Sequence, residues 1–429
     1  MFMLESHLSG AQSQALAQVQ AAATEAGVNL FLLGGAVRDM VGGYAIRSLD
    51  FVVEAPPAKI VKVLQRQGVQ LVGADELRRE LSLRFPGGAL VTIGMSRTEK
   101  YPKPAGRPQV SPASVHEHLR CCDFTINAMA LSLNRASRGL LIDPNNGLRD
   151  LQARELRAVH NYSLFDAPVR IFRLLRLQTR LGFSIEERTL RQLHSVREAR
   201  LEQQIPPAAR RQELLRMAAE PNPAELVKVL ERERLLELFS PALTGDKVNH
   251  AGFQKLQRAT QLLPHGVDLG LNPLGLFLFL LTEKLTPKEK TAFAAAAGLE
   301  AADIELWNKI EARAKKLEKA LSSAALKKPS KIYATVAAAA GDEALFLLCR
   351  STSRIVVDRL KNYLQKYLLT ALEVTDAEIE QMGLTPGTPK FAKAKAERIA
   401  ARLDARPKKT VVEPEAPPAQ ATAAARRFN

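Results

Sequence analysis

The sequence predicts a small mixed α/β domain of about 150 residues leading into an essentially all-α remainder, and three observations carry that reading. A short apolar run at residues 29–33 is followed at once by Gly34-Gly35 and a helix-forming stretch, the order strand, tight turn, helix. Two more strand-like runs, residues 49–54 and 89–94, flank a helical segment at residues 58–67. From residue 151 onward glycine, proline and β-branched runs thin out, and helical spacing takes over.

In chain order, residues 10–26 are rich in helix formers and stop at Gly27, which suits the left-handed close of a helix. Residues 29–33 read as a buried strand, because their apolar run is unbroken. In the helical part, residues 168–181, 188–202 and 224–239 show helical spacing. The apolar stretch at 269–281 is shorter than the ~20 residues a bilayer span needs and is interrupted by Pro273, so it reads as a buried helix and no membrane partner is expected. Residues 309–331 and 390–406 read as basic, alanine-rich helices. At 429 residues the chain is expected to divide into a head at 1–150, a helical neck at 151–245, a helical body and tail at 246–405, and a disordered end at 406–429.

Lysine and arginine total 61 against 45 acidic residues, a formal charge of +16 that favours a polyanionic partner, with a merely solubilising surface as the alternative. The first ten residues carry neither the basic segment nor the apolar core of a secretion signal, so a cytoplasmic location is expected. Cys121, Cys122 and Cys349 have neither disulfide-framework nor zinc-ligand spacing.

Residues 32–55 contain Gly34-Gly35, Arg38 and Asp39, then Ser48-Leu49-Asp50 on the second strand. There follow Arg97-Thr-Glu-Lys-Tyr101, Cys122-Asp-Phe-Thr-Ile-Asn-Ala128, Asp143-Pro-Asn-Asn-Gly147 with Asp150, and Asp166-Ala-Pro-Val-Arg-Ile-Phe-Arg173. Together, over roughly residues 28–400, these motifs resemble the class II tRNA nucleotidyltransferases, the CCA-adding enzymes and bacterial poly(A) polymerases. The resemblance implies a polymerase β-like nucleotidyltransferase head followed by an all-α neck, body and tail. Residues 372–387 look like the RNA-binding tail of longer members.

On the residues themselves, the glycine pair lets backbone approach a ligand, and a following helix start favours phosphate. Arg38 can add a charged contact, or can pair with Asp39 to fix the helix to the sheet. The resemblance further implies two Mg2+ ions held by an Asp-x-Asp pair and a third carboxylate on an adjacent strand. Here those three positions read Ser48, Asp50 and Thr92, so one carboxylate remains and binding of the metal is doubtful. Glu54 shares the strand but stands roughly 13 Å from Asp50, too far to share an ion. Glu99 falls where the family already carries glutamate.

The implied nucleotide-binding positions are Gly34, Gly35, Arg38, Asp39, Asp123, Asn127, Asp166, Arg170 and Arg173. Two of the family's cations are replaced by Cys121 and Cys122, at about 3–6 kcal/mol of triphosphate affinity for two charged hydrogen bonds. The family's Glu-Asp-x-x-Arg template for the ATP and CTP base edges reads Asp166-Ala167-x-x-Arg170, and Ala167 offers no acceptor. Arg170, Arg173 and Arg176 share a helix face, either as a solvated basic stripe or as an RNA or phosphate contact.

The expectation is a family protein that binds tRNA or tRNA-like RNA and, at most weakly, ATP or CTP, with nucleotidyl transfer impaired or absent. An active CCA- or A-adding enzyme and a non-catalytic protein scaffold are the alternatives.

Overall fold

A computed structural model describes residues 4, 6–264, 269 and 271–405, so the expected disordered end at 406–429 lies outside the described residues. Its N-terminal part is built on a mixed sheet of seven strands. These are β1 (Leu30–Leu33), β2 (Leu49–Val53), β3 (Gln70–Asp75), β4 (Glu80–Arg84), β5 (Leu90–Met95), β8 (Ala130–Ser132) and β9 (Leu141–Ile142), in the order β3-β4-β5-β2-β1-β8-β9. β6 (Arg97–Lys100) and β7 (Gln109–Pro112) form a separate antiparallel hairpin. Within the seven-stranded sheet only β2 with β5 is parallel.

Strand alternation gives the sheet two unlike faces. Leu30, Leu32, Leu49, Phe51 and Val53 point into the main core, where α1 (Gly10–Glu25), α2 (Gly34–Gly42) and α3 (Ala58–Arg66) bury their apolar sides. The opposite face carries a small cluster of Phe31, Val52, Ala130 and Ile142, covered by Val115 and Leu119 of α4 (Val115–Leu119). α5 (Gly147–Ala153) starts at a glycine with no room for a side chain, since a Cβ there would lie 2.1 Å from the Thr125 carbonyl oxygen.

The rest of the described residues are mostly helical, apart from a short parallel pair of strands, Glu155–Leu156 with Ser184–Ile185: α6 (Ser163–Asp166), α7 (Arg170–Leu181), α8 (Glu187–Glu198), α9 (Pro207–Ala218) and α10 (Pro223–Arg232), then α11 (His250–Thr260) to α20 (Pro389–Asp404). The apolar stretch is the buried helix Leu274–Thr282, and no single described helix is long and apolar enough to cross a membrane. The single basic helix expected over 309–331 is instead two, Ala301–Ser322 and Pro329–Ala337. Lys328, forced out of the helical region by the proline after it, is extended at φ −80° and ψ 136°. Similarly, α8 and α10 stop at Glu198 and Arg232, short of the expected 202 and 239, and are followed by the 3-10 turns Leu201–Gln204 and Leu236–Leu238.

The solvated arginine stripe is also corrected. Arg170 and Arg176 are buried, and with Arg173 they form part of a chain of polar contacts joining the sheet region to α7 and α9. Arg38 Nη1 donates to Asn127 Oδ1 at 2.5 Å, and Asn127 Nδ2 donates to Asp123 Oδ1 at 3.1 Å. Arg173 donates to Asp123 Oδ2 and lies 3.7 Å from Glu213, which also meets Arg176 at 3.5 Å. Arg176 Nη1 then donates to Glu220 at 2.8 Å, and Arg47 Nη1 donates to the other Glu220 oxygen at 3.2 Å. The chain thus leaves the sheet region at Arg38 and returns to it at Arg47, just before β2.

Asp123, Glu213 and Glu220 are all buried, so each must be matched by a cation on folding. Removing one leaves its arginines in the buried network with one counter-charge fewer. Glu213→Gln is expected to lower the unfolding free energy by about 3–5 kcal/mol in urea denaturation. Glu187→Gln, which breaks the exposed Glu187–Arg191 pair, is expected to cost under about 1 kcal/mol.

Candidate nucleotide and metal site

The parallel register of β2 and β5 puts Asp50 directly beside Thr92, with Leu33 of β1 on its other side. Ser48 Oγ donates to Asp50 Oδ2 at 3.1 Å, so the serine hydroxyl is spent on the acid it accompanies. Glu54 is engaged elsewhere, accepting from the Val115 N–H at 2.9 Å at the start of α4.

One acid that the motif reading missed lies on this face. Glu80 of β4 pairs across to Gly94 of β5, and a Cβ at Gly94 would stand 3.7 Å from Glu80 Oε2, so the carboxylate lies over the glycine. Burial pushes the Glu80 carboxyl above its ordinary range; Arg97, 3.5 Å away, opposes that rise and Asp50 adds to it. Glu80 is therefore already matched to a cation. Arg97 also donates to Glu99 at 3.1 Å, as Arg78 does at 3.0 Å and the Tyr101 hydroxyl at 2.9 Å. Although burial raises the Glu99 carboxyl, the two arginines and Tyr101 hold it at about 2.

Among the described residues, no group of three or more His, Cys, Asp or Glu is arranged to hold a metal ion. A divalent cation at Asp50 would find one carboxylate and two hydroxyls, and magnesium dehydrates reluctantly for neutral oxygen. The donor set does not fit the two-ion site that the resemblance implies.

The phosphate side is equally committed to internal contacts. Gly34 takes φ +63°, a left-handed conformation that glycine adopts freely, as β1 turns into α2, and its N–H donates to the Met129 carbonyl at 3.2 Å. Gly35 packs on the Arg38 guanidinium. Arg38 and Asp39 are both buried and joined at 2.6 Å; Arg38 ties α2 to the 3-10 turn Thr125–Asn127 rather than to the sheet, and its charge is turned inward. Cys122 donates weakly to the His118 carbonyl at 3.7 Å. Burial first, then Asp123, pushes its thiol up to about 12, so it is neutral.

At the start of α7, Arg170 Nη1 donates to Ser163 Oγ at 2.7 Å and Nη2 to the Cys121 carbonyl at 3.1 Å. Burial raises Asp123, but Arg173 and Arg170 outweigh it and hold the carboxyl at about 2. Asp166 sits 3.8 Å from His160; burial shifts its carboxyl upward against the pull of Arg170. The structure thus gathers Arg38, Asp39, Asp123, Asn127, Arg170 and Arg173 into one network around the 3-10 turn. Asp50 belongs to a separate acidic face, and Asp166 to an exposed corner. Glu80, Glu213 and Glu220 belong to no motif and Arg47 lies in the first motif segment without a role there, and only a three-dimensional arrangement reveals their pairing.

A glycine-turn α/β head followed by a mostly helical remainder is the arrangement of a nucleotidyltransferase-type protein. Residues 30–157 match the poly(A) polymerase head domain. The chain is 34% identical over 227 residues to the A-adding tRNA nucleotidyltransferase of Aquifex aeolicus, covering 53% of this chain and 27% of that protein. To the CC-adding tRNA nucleotidyltransferase of Deinococcus radiodurans it is 34% identical over 211 residues, 47% and 53% of the two chains. The chain therefore spans between about a quarter and about half of the length of these relatives.

Among solved structures, a tRNA nucleotidyltransferase complexed with a primer tRNA and an incoming ATP analogue matches with TM-score 0.51 and 26% identity, over 82% of this chain and 99% of that one. The apo form II of a CCA-adding enzyme shares the fold with TM-score 0.54 and 24% identity, over 95% of each chain. Residues 30–157 thus match a poly(A) polymerase head domain, and the relatives and solved structures that the chain resembles are tRNA nucleotidyltransferases.

The buried ionisable groups give the acid limb of stability two steps. Burial and Arg97 push His118 down to about 4 from an ordinary 6.5, so in that interval the unfolded chain binds a proton that the folded chain refuses. Stability should fall as pH drops from about 6.5 to 4, and His118→Gln should flatten that step in urea melts. Asp123 and Glu99, both held at about 2, contribute stability that is complete above about 4.5 and lost as pH falls to 2.

Proposed function

We propose that this protein is an RNA-binding member of its family, cytoplasmic, holding tRNA or tRNA-like RNA, with little or no nucleotidyl transfer of its own. One observation carries the loss of chemistry: of the three positions at which the family's acids align, only Asp50 is a carboxylate, and Ser48 and Thr92 supply hydroxyls beside it. Phosphoryl transfer depends on neutralising charge around the triphosphate, and hydroxyls replace neither metal ligands nor charge. The arginines that would draw phosphate, Arg38 and Arg173, are committed to Asn127, Asp39, Asp123 and Glu213. RNA binding is supported by the formal charge of +16 and by the relatives, which are named as tRNA nucleotidyltransferases.

The second reading, an active A- or CCA-adding enzyme with an altered metal site, is favoured by Glu80, which lies on the Asp50 face and whose carboxyl Asp50 pushes upward. One assay separates the two. Purified protein, tRNA lacking its 3′ end, labelled ATP and CTP, and magnesium or manganese are expected to give no incorporation above background. Incorporation that disappears in Asp50→Ala would establish the active enzyme instead. Affinity for tRNA should fall steeply with rising salt, as counterion release requires, and a flat response would remove the RNA.

Restoring the missing acids in Ser48→Asp with Thr92→Asp is expected to produce measurable magnesium binding by calorimetry where the unaltered chain has none. No gain in the double variant would show that the deficit lies elsewhere.

A further inference from the structure

We infer that Tyr162 is a stacking platform for an unpaired base at the end of the bound RNA, so that this corner of the cleft accepts a base by its face without reading its edge. The inference rests on the RNA-binding reading above and names how the RNA end is held. Tyr162 is 68% exposed, the most exposed large apolar side chain among the described residues. Its ring is braced edge-on by Phe165, with centroids 6.3 Å apart and planes at 66°, which restrains the ring while leaving a face free.

The residues behind it are the ones that a base would meet next. The Tyr162 N–H donates to His160 Nδ1 at 3.3 Å, and its carbonyl accepts from the Asp166 N–H at 2.8 Å. His160 stands 3.8 Å from the Asp166 carboxylate, and Arg170 is buried beneath with its guanidinium fixed on Ser163 and Cys121. On the far side, the Phe165 carbonyl accepts from the Ala105 N–H at 2.8 Å, so the β6–β7 loop closes the other wall. An aromatic face, a half-exposed imidazole and a fixed cation below make an amphipathic corner rather than a stray apolar residue.

Edge recognition is poorly served at this place. The Ala167 side chain has no acceptor, the Arg170 donors are spent on Ser163 and the Cys121 carbonyl, and the Asp166 carboxylate faces His160. Stacking needs no edge partners, because every base offers a π-face, and it is worth enough per base to anchor a strand end. Base identity is then not selected here. A stretch of single-stranded RNA fits the chain's basic surplus better than an apolar peptide would, since its backbone carries the opposite charge.

The test is binding of the full chain to short fluorescent oligoadenylate, oligocytidylate and oligouridylate and to an oligomer with abasic 3′ residues. Tyr162→Ala should weaken the three natural oligomers by roughly 5- to 100-fold and to a similar degree, while Tyr162→Phe binds as the unaltered protein does. Tyr162→Trp should report stacking by quenched emission as RNA is added. Circular dichroism and the melting temperature should be unchanged in all three, because the side chain is exposed. Undiminished binding by Tyr162→Ala, equal affinity for the abasic oligomer, or a loss confined to one base would overturn the platform and leave the RNA-binding reading standing. Absence of RNA binding by the unaltered chain would overturn both.

Discussion

Three buried carboxylates, Asp123, Glu213 and Glu220, hold the sheet region against the helices α7 and α9, and the arginine side of the candidate site is positioned by that arrangement. Each would be costly to bury alone and becomes tolerable only because Arg173, Arg176 and Arg47 reach it from another element. Chain segments far apart in sequence are thereby forced into one geometry. The sheet side contributes Asp123 and Arg47, α7 contributes Arg173 and Arg176, and the acids of α9 and its end close the circuit. Such a network specifies a docking angle more sharply than apolar contact does, since a small slip leaves a charge unpaired.

On the proposed reading, this internal use of charge lets the scaffold stand without the metal ligands that the resemblance implies. Arg38, Asn127, Asp123 and Arg173 lie where a nucleotide-binding role is implied by resemblance, yet each has a structural partner that alone accounts for its presence. The metal face has no such second duty. Aspartates at positions 48 and 92 would add like charges beside Asp50 and Glu80 without a counter-ion, whereas Ser48 and Thr92 cost the fold nothing. Loss of the acids relieves repulsion, while loss of the arginines would undo the seam. The contrast between what remains and what has gone follows from that asymmetry.

Much of the fold was legible in the sequence because its signals are local. The 29–33 run, the glycine pair and the 49–54 run gave β1, α2 and β2 nearly to the residue, and the apolar stretch gave the buried helix Leu274–Thr282. β3 escaped because it is an edge strand whose first three residues are exposed, which leaves no apolar run, and β8 and β9 are too short for a period to register. Lys328-Pro329 divided a helix that composition alone had joined. At the site, the register of Asp50 against Thr92 agrees with the two adjacent strands that the motif implies. The arginine face of α7 is open in the sequence between a solvated stripe and an RNA or phosphate contact, because spacing reports which side a residue takes; what covers that side, here α9 with its acids, is written some forty residues away. Glu80 was invisible for the same reason, since only the sheet order brings it over Gly94.

On the proposed reading the protein is a nucleotidyltransferase-like framework in which cations are bound inward and Asp50 is the one carboxylate at the three positions where the resemblance implies acids. The most direct measurement is electron paramagnetic resonance of Mn2+ titrated into the full chain, with and without ATP. The spectrum is predicted to remain that of the hydrated ion, with no saturable site. Two Mn2+ held per chain in the presence of ATP, and released by Asp50→Asn, would contradict the account.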